Sequence, residues 1–177
     1  MTEIVVHRAP FLTLWASVVA RRLGYEEDEA LTLGRAVAGQ TAAAKGKRLG
    51  ILEPRPGADR RQVQDRRREI GAEPIRFMGR VIPCLRTPLG LRALAEAVPM
   101  DPEAVRRYLN SKFKDTRALV EEKLHAVAAS FPPEELEAQA MDLYMQMRPV
   151  VAAGSAGWGQ QGRLDTETID RLLARRA

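Results

Sequence analysis

PFLTLWASVVARRLGYEEDEALTLGRAVAGQTAAAKGKR, residues 10–48, decides how the rest of the chain can be arranged. Phe11, Leu14, Trp15, Val18 and Val19 fall at i, i+3, i+4, i+7 and i+8, the spacing that puts apolar side chains on one face of a helix. Pro10 suits a first helical position, where its missing N–H would have no partner, and Gly24 suits a stop. A second helix follows at once. Glu26, Glu27, Asp28 and Glu29 crowd its first turn and Lys45, Lys47 and Arg48 its last, as the helix dipole favours. Within it Gly34, Ala38, Ala42 and Gly46 recur every four residues and make a strip with almost no side chain. Such a strip lets another helix come close, so an antiparallel pair is predicted, with Trp15 and Phe11 reaching over it.

Working outward, the 177 residues suffice for one domain with a full core. Hydrophobic residues make up 45% but aromatics only 5%, with much alanine, which favours helices packed through small side chains. The predicted fold class is mainly α, a multi-helix bundle over residues 1–177 with a small β-hairpin near 75–85. Its strands would be Ile75 to Met78 and Val81 to Leu85, joined near Gly79, with Pro83 confining the second to an edge. Thr87-Pro88 and Asp101-Pro102 pair a capping side chain with proline, so helices are predicted from there to about Ala97 and Asn110. Two longer helices, Asp115 to Ser130 and from Pro132-Pro133 to Arg148, would form an antiparallel hairpin. A glycine-rich loop at 152–162 and a terminal helix from Asp165 to Arg175 complete the chain.

Charge is the sharpest functional signal. Eleven of the 28 lysines and arginines lie between Lys45 and Arg80 against five acids, while the other 141 residues hold 17 basic and 18 acidic side chains. A neutral domain with one basic segment presents that segment to an anionic partner or leaves it solvated. Residues 50–74 read as a basic loop or short helix. Arg60, Arg61, Arg66, Arg67 and Arg68 there could neutralise phosphates of DNA or RNA without sequence selectivity. The interleaved Asp59, Asp65, Glu69 and Glu73 could instead pair with them at helical spacing. Lys45, Lys47 and Arg48 are accounted for by the helix end.

Leu91 to Asn110, LRALAEAVPMDPEAVRRYLN, resembles the helix-turn-helix of bacterial repressors. Ala95 is small where the first helix must touch the second, and Val105 packs between helices. The resemblance covers residues 91–110 only, and implies that Arg106 and Arg107 assist nucleic-acid binding. The segment departs from the motif at the turn, where Pro99 forbids the left-handed conformation that glycine usually supplies. A plain pair of capped core helices is the alternative.

Other motifs fail on context. Gly157 to Gly162 spells G-x-G-x-x-G, but no βαβ unit surrounds it, so a loop with Trp158 docked on the body is predicted. Gly46-Lys47 lacks the following Ser or Thr of a phosphate loop, and Glu122 with His125 is only half of a di-iron motif. Cys84 is the sole cysteine, which excludes an intrachain disulfide and fits a reducing cytoplasm. Beside Arg86 it could be an activated thiol, or a small buried hydrophobe. The longest apolar run, Ala9 to Ala20, is too short for a membrane span and reads as helix rather than signal peptide. No metal or cofactor is predicted. The expectation is a cytoplasmic, non-enzymatic binding protein, nucleic-acid associated through its basic segment. The alternative is a helical scaffold or homo-oligomer joined through the small-residue strip, and an enzyme using Cys84 or a hidden carboxylate ranks third.

Overall fold

A computed structural model describes residues 3–48, 57–152 and 161–176. Strand β1 (Glu3–His7) leads directly into helix α1 (Arg8–Arg22), and α2 (Glu27–Arg48) runs back along it. Every residue from Pro10 to Ala20 is buried, so α1 is the axis of the molecule and has no solvent face. The spacing of its bulky residues is amphipathic, but Leu12, Thr13, Ala16 and Ser17 on the other side are covered as well. Thr13 and Ser17 donate their hydroxyls to the carbonyls of Ala9 and Leu14, which removes the cost of burying them.

The small strip brings α1 and α2 together within one chain, but Thr13 and Ser17 meet it, while Trp15 and Phe11, expected to reach over it, contact Ala140 and Tyr144 instead. A side chain at Gly34 would stand 2.5 Å from the Thr13 carbonyl oxygen and 2.9 Å from the Ser17 nitrogen. Gly34 and Ala38 are therefore used up inside the fold. The α1 stop is also as read: Gly24 takes φ +108°, and the amides of Gly24 and Tyr25 donate to the carbonyls of Arg21 and Ala20, a Schellman closure.

Helix α3 (Gly57–Glu69) carries the basic segment, so residues 57–69 are helix rather than loop, while residues 50–56 and 153–160, with Trp158, lie outside the described residues. A four-stranded antiparallel meander follows, β2 (Glu73–Phe77), β3 (Arg80–Thr87), β4 (Gly90–Ala95) and β5 (Val98–Pro99). The predicted hairpin is its first half. Met78 and Gly79, both at positive φ, make the two-residue turn that suits strand twist. β3 is nevertheless an inner strand, contrary to the edge position expected from Pro83. Pro83 faces Pro74, a pairing that calls for no exchange of N–H bonds, and β4 pairs with β3 only from Cys84 onward.

The helix expected from Thr87 to Ala97 is strand, so the two-helix geometry of a helix-turn-helix is not formed at residues 91–110. The capping chemistry is present but serves a turn. The Thr87 hydroxyl oxygen accepts from the Leu89 amide and donates to the Gly90 carbonyl, closing a two-residue hairpin through Pro88 and Leu89. Helix α2 then secures β4. Thr32 Oγ1 accepts from the Ala93 amide, and Glu29 accepts from Leu91 while also capping its own helix at Glu26.

Helix α4 (Pro102–Phe113) starts where Asp101-Pro102 predicted, with the Asp101 carboxylate accepting from the Glu103 amide. Helices α5 (Arg117–Ala129) and α6 (Pro133–Met147) lie against α1 rather than along each other, which corrects the expected helical hairpin. Trp15 supplies the reason: its indole N–H reaches 3.0 Å to the Ala140 carbonyl and draws α6 onto α1. Strand β6 (Gln161–Asp165) pairs with β1, and α7 (Thr166–Arg176) closes on α5. The fold is thus mainly helical with two small antiparallel sheets, where a bundle with a single hairpin was expected. Among the described residues no helix is long and apolar enough to cross a membrane.

Candidate functional site

The arginines singled out in the sequence do not converge. Arg60, Arg61, Arg66 and Arg68 are exposed along α3, and Arg68 lies 3.4 Å from Asp65, one of the interleaved acids. Arg67 is half-buried and donates to the Glu96 carbonyl at 2.6 Å, tying α3 to the β4–β5 turn. Arg106 is engaged by the carboxylates of Asp28 and Glu103, with Glu27 at 3.6 Å. It joins α4 to the start of α2 and is spent on that contact. Arg107 is exposed, and the Asn110 side chain accepts from Arg117.

A different set of cations does converge. A cleft of about 830 Å³ opens where α1 begins and where α2, α4 and α6 end. Arg8 enters it from α1, Lys45 and Arg48 from the last turn of α2, Arg80 from β3, Lys112 from the last turn of α4, and Arg148 from the end of α6. Among the described residues no Asp or Glu lines it. Among the described residues none of the six is within ion-pair distance of a carboxylate, whereas Arg86, Arg92, Arg106, Arg117, Lys123, Arg171 and Arg176 elsewhere all are.

The fold tolerates this because three helices present their carboxyl ends here. Each helix end carries about half an elementary charge, so together they offset roughly one and a half of the six positive charges. The start of α1 works the other way, since His7 gives it no side-chain cap. The cleft stays strongly positive. Burial lowers the proton affinity of Lys45, and Arg8, Arg148 and Arg48 lower it further by repulsion. Arg8 is lowered in the same manner, by burial first and then by Arg148.

Several of these groups are held in place. The Arg8 guanidinium donates to the Pro149 carbonyl at 2.8 Å, and Arg80 donates to Thr41 Oγ1 at 3.2 Å. Tyr144, whose ring stacks on Phe11, lies close enough to Arg148 and Arg8 to feel their charge, although burial dominates and raises its phenol's pKa. The remaining walls are apolar and aromatic: Ala9, Pro10, Leu12, Ala38, Ala42, Met141, Met145 and Tyr108. The Tyr108 ring carries Arg35 at 4.5 Å from its centre and Lys112 at 5.9 Å. The cleft can therefore hold a polyanion with an apolar or planar body.

Of these residues only Lys45, Arg48 and Arg80 belong to the basic segment, and in the sequence the first two are explained by the helix end alone. Arg8, Lys112, Arg148, Tyr108 and Tyr144 carry no sequence signal for this role, because Arg8 and Arg148 are neighbours only through the tertiary fold. The one hint is position, a cation at each of three helix C-termini.

The remaining candidates fall elsewhere. His7 lines the cleft, and His125 stands 3.8 Å from Glu121. Gly162 sits in β6 opposite Val6, where a side chain would meet Pro149 at 2.6 Å, so this glycine answers to packing. Cys84 is fully buried, and burial pushes its thiol from 9.0 up to about 12. It is a core residue and not an activated thiolate. Below pH 9 its contribution to stability is intact. Above it the unfolded thiol ionises while the folded one does not, so stability falls as pH rises toward 12. Alkaline denaturation of Cys84→Ala should show a shallower loss over that window than the parent. A thiol that reacts rapidly with an alkylating reagent in the native protein at neutral pH would contradict this assignment.

Comparison of the chain with protein-family models, with characterised proteins and with solved structures finds no match, so the chemistry of the cleft is read from its own residues.

Proposed function

We propose that this protein is a non-enzymatic binding protein that takes phosphate-bearing ligands of nucleic-acid chemistry into the cleft at the start of α1. The observation that carries this reading is that, among the described residues, six cations line one cleft with no carboxylate among them. Cations gathered in one cleft, two of them, Arg8 and Lys45, partly desolvated, repel one another, and a multivalent anion relieves that repulsion while forming charge-assisted hydrogen bonds. Binding is favoured over catalysis because the described residues of the lining offer no carboxylate or thiol, although His7 and two tyrosines are present. The exposed arginines of α3 add a general electrostatic attraction, and the basic segment acts chiefly through its ends, Lys45, Arg48 and Arg80.

Titration of mixed-sequence nucleic acid and of inorganic triphosphate at about 50 and about 200 mM salt tests the reading. Affinity should fall steeply with salt. A Lys45→Gln, Arg80→Gln, Arg148→Gln variant should lose at least about tenfold for each phosphate contact removed. Replacing Arg60, Arg61, Arg66, Arg67 and Arg68 by glutamine should cost less. No binding of either probe at low salt, or binding indifferent to the cleft variant, defeats the proposal.

A further inference from the structure

Within that reading, on which this inference rests, we propose that the cleft is a site for a nucleoside polyphosphate, with the phosphates among Arg8, Lys45 and Arg148 and the nucleoside against Tyr108 and Met145. Shape separates this ligand from a nucleic-acid strand. A strand is followed by cations in a line along an open surface. Here they come from five separate elements and meet in one place beside the start of a buried helix, where backbone amides also favour phosphate. Volume separates it from bare phosphate. About 830 Å³ is near the top of the range for small-ligand pockets, far more than inorganic phosphate needs, and the excess is walled by apolar and aromatic side chains. Arg8 is prepositioned by the Pro149 carbonyl and Arg80 by the Thr41 hydroxyl, so two guanidiniums are oriented before any ligand arrives. The other sizeable cleft beside Tyr108 contains Asp101 and lacks this convergence.

Isothermal titration of the full chain with adenosine mono-, di- and triphosphate, inorganic triphosphate and short single strands, with no metal added, tests the assignment. Affinity should rise about tenfold with each added phosphate, and adenosine triphosphate should exceed inorganic triphosphate by about tenfold or more. Met145 is 52% exposed, so Met145→Glu should leave the melting temperature unchanged while lowering adenosine triphosphate affinity by about tenfold or more. Tyr108→Leu should weaken adenosine triphosphate but not inorganic triphosphate. Equal affinities for the two triphosphates, or for mono- and triphosphate, overturn the nucleotide assignment. Strands that bind while no mononucleotide competes also overturn it and leave the broader phosphate-binding reading standing. Failure of every phosphate compound to bind defeats both.

Discussion

Trp15→Ala is expected to lower stability by about 3–5 kcal/mol, the range for emptying a large aromatic site in a rigid core. Trp15 is wholly buried on the central helix, and its N–H holds α6 through Ala140. Truncation removes the largest side chain of the core and the polar link between two elements far apart in sequence. For a chain of this length the melting temperature should drop by roughly 6–20 °C. Trp15→Phe keeps most of the apolar volume but not the hydrogen bond, so it should fall between the parent and alanine. Thermal and urea denaturation measure both. A Trp15→Ala protein melting within about 2 °C of the parent would mean that α1 is not the axis of the fold.

Gly34→Ala is the second large effect, and it has an internal control. The new methyl would lie 2.5 Å from the Thr13 carbonyl oxygen and 2.9 Å from the Ser17 nitrogen. Both atoms are backbone of a buried helix, so neither can swing aside, and α1 and α2 must separate. The cost is expected to reach about 3 kcal/mol, the upper end for overpacking. Gly39, farther along α2, is open: a methyl added there would meet nothing within 4 Å. Gly39→Ala should therefore be neutral or stabilise by up to about 1 kcal/mol through helix propensity. Equal melting temperatures for the two variants would refute the close approach of the two helices.

These contrasts show where local pattern is enough. The α1–α2 pair is legible because a four-residue repeat of Gly and Ala has one economical use, close helix packing, and the structure places Gly34 there. Gly24 and Asp101-Pro102 are legible because end chemistry is local. Thr87-Pro88 is not, since a threonine oxygen accepting from an amide two residues on looks the same in a helix start and in a hairpin turn. What turns LRALA into strand is β3 on one side and Thr32 and Glu29 on the other. Ile4 and Val6 alternate with Val5 as a half-buried strand should, yet in the sequence β1 merges with the apolar run beside it. Its partner β6 has little strand character of its own and exists through pairing with β1.

The candidate site divides along the same line. From the sequence alone come a mainly helical chain, one domain in size, with a close helix pair and a local excess of positive charge, because spacing, caps and composition act over a few residues. Which cations matter is decided by the tertiary structure. Arg106 looks available until Asp28 and Glu103 are placed around it, and Arg8 and Arg148 look unrelated until the ends of four helices meet. Electrostatic function depends on distance in space and on which charges are already paired, and both are set only when the chain has folded.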